Sequence, residues 1–87
     1  VYMTTQAPHI IRAAVALVAE LPEHMIRIVS PDIGGGFGNK VPVYPGYVAS
    51  ILASILLGRP VKWIEDRTGN LASTGFGRDM YLAAEMA

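Results

Sequence analysis

Apolar positions along this chain follow two periodicities. Residues 1–5 are β-branched and aromatic, which predicts a strand end. Beyond Pro8, from about residue 9 to 21, Ile10, Ile11, Ala14, Leu17, Val18 and Leu21 recur three and four apart, with Arg12 and Glu20 toward the other side. That spacing predicts an amphipathic helix, closed by Pro22. Met25-Ile26-Arg27-Ile28-Val29 is a second strand candidate, ended by Pro31, Asp32 and the glycines after Ile33. Val48, Ile51, Leu52, Ile55 and Leu56 form the broad apolar face of a second helix. Pro45 fits its first turn, Gly58 its C-terminal cap, and Pro60 prevents its continuation. Two small rows on it, Ala49 with Ala53 and Ser50 with Ser54, would let another element approach closely. Residues 61–65 predict a third strand and residues 80–86 a fourth; residues 66–78 between them, rich in Gly, Ser, Thr and Asn, predict a loop. The expected class is therefore α/β (α+β). It is a β-α-β-loop-α-β-β arrangement with two helices packed on a mixed sheet, with residues 1–87 expected to be a piece of one larger domain.

Composition narrows this picture. A chain of 87 residues hides only about 60–65% of its unfolded surface, so its stability margin is thin. Apolar residues make up 52% and charged ones 16%, which argues against disorder. So apolar a surface is more than a small free-standing domain needs. Part of it is expected to lie against other parts of a larger protein. Val1 in place of Met, and an end at Met86-Ala87 with no helix stop, carry the same expectation of a longer sequence cut at both ends. Zero formal net charge with no Lys/Arg cluster argues against nucleic acid as a partner. The absence of cysteine excludes disulfides, thiolate zinc sites, iron–sulfur ligation and a cysteine nucleophile within this segment. The longest uncharged run, residues 41–58, is interrupted by Pro42, Pro45 and Gly46. Its apolar part falls short of the roughly 18–20 residues of a membrane span, so a buried helix is expected. No secretory signal is visible, and a cytoplasmic location is expected.

Chemistry concentrates in Gly34-Gly35-Gly36-Phe37-Gly38. Glycines leave backbone N–H groups uncovered and permit positive φ, so successive N–H groups can converge on an anion. The helix that follows adds a partly positive end. Two phosphate loops fail on spacing. The dinucleotide fingerprint needs Gly where Asn39 stands, and the P-loop needs Gly before Lys40 and Ser or Thr after it. A tight strand-to-loop crossing is the plain alternative. Taken alone, Phe37 is expected to anchor the loop in the core, Lys40 to lie in solvent and Gln6 to cap or brace a turn. His9 and His24 lack a partner at catalytic spacing. Asp32 reads as a turn residue, and Glu65-Asp66-Arg67 as a local charge and hydrogen-bond cluster.

Three stretches together, Thr5-Gln6-Ala7-Pro8-His9, then Asp32 through Lys40, then Trp63-Ile64-Glu65-Asp66-Arg67, resemble the xanthine oxidase/aldehyde oxidase family of molybdenum hydroxylases. Val41-Pro42-Val43-Tyr44-Pro45-Gly46-Tyr47 is most similar to large subunits of its carbon monoxide dehydrogenase branch. The resemblance covers nearly the whole chain, although such subunits are several times longer. It implies an oxidoreductase large subunit carrying molybdenum with molybdopterin cytosine dinucleotide. It further implies an iron–sulfur small subunit and a flavin (FAD) medium subunit as partners, and hydroxylation with oxygen drawn from water. Gln6 would then place its amide near an oxo ligand of molybdenum, and Gly35, Gly36, Phe37 and Gly38 would contact the cofactor, with no direct metal ligand. Val41 stands where purine-oxidising relatives carry an acidic residue, which argues against a purine substrate. The family's catalytic glutamate and active-loop cysteine fall outside these residues, so no catalytic residue is assigned and the isolated chain is expected to be inactive. Aldehyde or heterocycle hydroxylation, a small non-enzymatic anion-binding module and a purely structural segment are the competing readings.

Overall fold

The computed structural model describes residues 1–75 and 81–86. Helix α1 spans Pro8–Ala19, with Pro8 in its first turn, where a missing N–H is harmless. Ile11 and Val15, one turn apart, are its buried residues and with Thr5 form the centre of the fold. The helix ends before the expected Pro22. Glu20 takes the left-handed conformation (φ 53°), and the Leu21 N–H donates to the Ala16 carbonyl at 3.1 Å. That left-handed cap satisfies a carbonyl the helix would otherwise leave open. Arg12 pairs with Glu23 at 3.1 Å, tying α1 to a 3₁₀ turn over Glu23–Met25. Helix α2 spans Pro45–Leu57, with Pro45 in its first turn and Gly58 as its left-handed cap, as its sequence predicts.

The expected mixed sheet is not formed. Among the described residues, one parallel bridge joins Tyr2 to Val29, carried by Met3 N–H to the Val29 carbonyl at 3.0 Å and Val29 N–H to the Val1 carbonyl at 2.8 Å. The first two predicted strands therefore do run side by side. Their ladder stops at once because a side chain replaces the next backbone partner. The Ser30 hydroxyl donates to the Thr5 carbonyl at 2.5 Å and accepts from the Thr5 N–H at 3.4 Å, and Pro31 beyond it has no N–H to offer. Residues 61–65 form no regular element, and no strand pairs with them among the described residues. Trp63 instead lays its indole over Gly46 of α2, so close that a Cβ there would come within 2.5 Å of the ring. Gly46 is thus a small site that admits a neighbour. Ser50 and Ser54 turn their hydroxyls back on Gly46 and Arg59 carbonyls, both at 2.7 Å.

With no sheet to cover, α1 and α2 pack on each other, and Val15, Val18 and Ala19 meet Val48, Ile51 and Leu52 at the seam. The expected loop after residue 65 contains a short helix, α3, over Arg67–Ser73. Asp66 starts it by accepting from the Gly69 N–H at 2.6 Å, the kind of N-cap contact that outweighs the poor helix propensity of Gly, Asn and Ser over so short a span. The predicted fourth strand is irregular over residues 81–86, and its first residue, Met80, lies outside the described residues. The radius of gyration is 16.1 Å, against about 12 Å for a compact globule of this length. Leu17 is 82% and Leu56 85% exposed, so much of the apolar surface finds no cover within the described chain. No helix among the described residues is long and apolar enough to cross a membrane.

Candidate functional site

The chain between the bridge and α1 meets the glycine loop at a corner built around Thr5. This residue is 1% exposed, and its hydroxyl donates to the Lys40 carbonyl at 3.0 Å while accepting from the Ala7 N–H at 3.1 Å. The next residue, Gln6, donates its own N–H to the same Lys40 carbonyl at 3.1 Å. Two donors on one oxygen fix the end of the loop beside Gln6. The Gln6 side chain then reaches across, and its Oε1 accepts from the Gly38 N–H at 3.1 Å. Oε1 is so engaged, and Nε2 has no acceptor among the described residues, which leaves two neutral N–H donors beside the loop.

Gly36 explains why this contact exists. A Cβ built there would overlap Gln6 Oε1 and lie 2.6 Å from Cδ, so only glycine lets the amide lie across the turn. The turn is closed by Asn39 N–H to the Gly36 carbonyl at 2.9 Å and Val41 N–H to the Gly38 carbonyl at 3.3 Å. Lys40, expected in solvent, is half-buried and donates from Nζ to the Ile33 carbonyl, bridging the base of the loop. A charged donor on a carbonyl is stronger than a neutral one, which accounts for the change of fate.

The other half of the loop is open. Gly34, Gly35 and Gly38 take positive φ, and so does Phe37 at 50°. The N–H groups of Gly35, Gly36 and Phe37 meet no acceptor among the described residues. Phe37 does not anchor the loop in a core: it is 99% exposed, with its ring edge beside Gly35, where a Cβ would come within 2.7 Å. A left-handed Phe costs about 1 kcal/mol or more. The four expected loop residues and Gln6 are therefore brought together, and the arrangement leaves backbone donors, a neutral side-chain amide and an exposed ring unengaged by the described residues. It can hold an oxygen-rich, flat or anionic group, and it supplies no acid or base.

The loop opens on a cleft of about 1200 Å³ whose far wall includes Tyr44, Tyr47, Trp63 and Glu65. Burial, then the neighbouring Tyr44 and Glu65, push the Tyr47 hydroxyl above its ordinary value. Hydrogen bonds from Asn70 at 2.8 Å and Ser73 at 2.6 Å hold the Glu65 carboxyl below the usual carboxylate range. With Asp66 capping α3, the Glu65-Asp66-Arg67 cluster is used locally, as its sequence suggested. His9 sits exposed in the first turn of α1 and His24 in the 3₁₀ turn. No group of three or more His, Asp or Glu among the described residues is placed to hold a metal. Sequence reasoning missed Thr5, Ser30, Tyr44 and Tyr47. Only Thr5 carried a local signal, a hydroxyl two residues before an N–H it can cap.

A family model described as the molybdopterin cofactor-binding domain matches residues 1–87. The carbon monoxide dehydrogenase large chain of Hydrogenophaga pseudoflava is 59% identical over 86 residues, covering 99% of this chain and 11% of the relative. That of Afipia carboxidovorans is 58% identical over 84 residues, covering 97% and 10%. The nicotine 6-hydroxylase large subunit of Paenarthrobacter nicotinovorans is 36% identical over 86 residues, covering 99% and 10%. The chain thus spans about a tenth of the length of these relatives. No solved structure matches it.

Proposed function

The chain belongs to the molybdopterin cofactor-binding domain family of the molybdenum hydroxylases, and on that premise we propose that Gln6 and the Gly35–Gly38 turn are its seat for the molybdenum-pterin cofactor. The observation that carries this reading is the division of donors at the turn. Gly38 holds Gln6 by its oxygen, leaving the Gln6 amide N–H groups and the N–H groups of residues 35–37 without an acceptor among the described residues. Neutral donors of this kind orient an oxygen-rich group without adding formal charge. Phe37, exposed and held by the loop, offers an apolar face to a flat ring system. When bound, molybdenum and its pterin supply the redox change of the reaction. The residues here bind and orient; none is assigned a proton.

For the whole protein we propose the large subunit of a carbon monoxide dehydrogenase-type hydroxylase, using molybdopterin cytosine dinucleotide and oxidising carbon monoxide or a related substrate with oxygen from water. Identity of 59% to a carbon monoxide dehydrogenase, against 36% to a nicotine hydroxylase, favours that branch. The names "large chain" and "large subunit" among its relatives support an assembly, read here as an iron–sulfur small subunit and a flavin medium subunit in the cytoplasm. The test is metal and pterin analysis of the full-length subunit with its partners. Stoichiometric molybdenum is expected in the natural protein, with a several-fold loss in Gln6→Ala, since hydrogen bonds from a neutral donor are worth about 1 kcal/mol each. A natural complex without molybdenum would sink the proposal.

A further inference from the structure

We propose that Tyr44 and Tyr47, one turn apart at the start of α2, form a clamp that sets the gap between Gln6 and the glycine turn, with Tyr44 the positioning residue for the loop. The inference rests on the cofactor seat argued above. Tyr44 is the N-cap residue of α2, in the extended region (φ −80°, ψ 146°), and its hydroxyl reaches back to the loop. It donates to the Asn39 carbonyl at 2.5 Å and lies 3.2 Å from Asn39 Oδ1. Tyr47 reaches the other side, donating to the Thr4 carbonyl at 3.2 Å, two residues before Gln6.

The rings are not free to drift. Tyr44 and Tyr47 meet edge to face with centroids 5.6 Å apart, and Tyr47 meets Trp63 the same way at 5.9 Å. Trp63 in turn lies against Gly46, so this row of rings rests on the first turn of α2. Aromatic side chains have few rotatable bonds, so a hydroxyl at the end of a seated ring is a fixed strut. One helix end therefore grips the two chain segments that must stand at the right distance for the Gln6 amide and the turn to face one ligand. Asn39 and Val41, whose amides close the turn, report on the grip.

The test uses the full-length subunit in its natural complex, with Tyr44→Phe, Tyr47→Phe and the double variant, each removing a hydroxyl and keeping the ring. Hydrogen exchange at residues 38–41 is expected to quicken about five-fold in Tyr44→Phe, the effect of one neutral hydrogen bond. The paramagnetic resonance spectrum of the partly reduced molybdenum is expected to shift while metal content holds. Natural exchange at 38–41 in Tyr44→Phe would overturn the clamp. Faster exchange with an unchanged molybdenum spectrum would overturn the positioning role and leave a merely structural bond. A natural complex without molybdenum would count against the cofactor seat instead, and the exchange measurement would still decide the clamp.

Discussion

Residues 35–37 and 38–40 belong to one turn, yet the two halves are built in opposite ways. In the second half nearly every polar backbone group is engaged. Gly38 gives its N–H to Gln6, Asn39 gives its carbonyl to Tyr44, and the Lys40 carbonyl takes donors from both Thr5 and Gln6. In the first half the N–H groups have no acceptor among the described residues, and a Phe is held exposed at positive φ. The lesson concerns how a site is held in readiness. Open donors hold a direction only if the adjacent peptide units cannot rotate, so the engaged half is the support of the open one.

Three substitutions in the full-length subunit probe that division. Thr5→Val keeps shape and removes the hydroxyl that serves Lys40 and Ala7. Leaving a buried partner unsatisfied costs about 1–3 kcal/mol, so exchange at residues 7 and 38–41 is expected to quicken roughly ten- to a hundred-fold. Unchanged exchange there would mean that the engaged half is not held by this corner.

Gly36→Ala has a smaller expected effect. The new Cβ expels the Gln6 amide, whose flexible end can move, so the loss should be near the ~1 kcal/mol of its bond to Gly38. Cofactor content should fall as in Gln6→Ala, and the double variant should be no worse than either single one, since both remove the same contact. Additive losses would separate the glycine from the glutamine.

The smallest effect is expected from Phe37→Asn. Asn tolerates the left-handed region, and relief of about 1 kcal/mol or less should slow exchange across the turn slightly. Cofactor content should nevertheless drop, because the exposed ring is lost. A variant that is both steadier and fully loaded would show that the ring is dispensable.

What could be read from the sequence follows the range of the forces involved. Gln6, Gly36 and Gly38 are identified together by family resemblance, and the structure places them in contact although Gly38 stands 32 positions beyond Gln6. Tyr44 and Tyr47 gave no sign, because their roles depend on carbonyls of Asn39 and Thr4 that only folding brings near. Phe37 and Lys40 exchanged their expected fates. An aromatic residue was expected inside and a lysine outside, but the left-handed turn throws Phe37 outward and brings Lys40 Nζ onto Ile33.

By itself the sequence determined both long helices, the Gly58 cap and the family, because turns of helix and their caps are decided by residues a few positions apart. The short helix α3 was legible in principle from Asp66 and was obscured by its glycine and polar content. Only the tertiary structure decided that, among the described residues, the first two strand candidates meet in one bridge and no sheet forms, that α1 packs on α2, and that one half of the glycine turn is fixed while the other stays open. A strand exists through a neighbour, and a donor stays open only where folding brings no acceptor. Neither condition is written in local spacing.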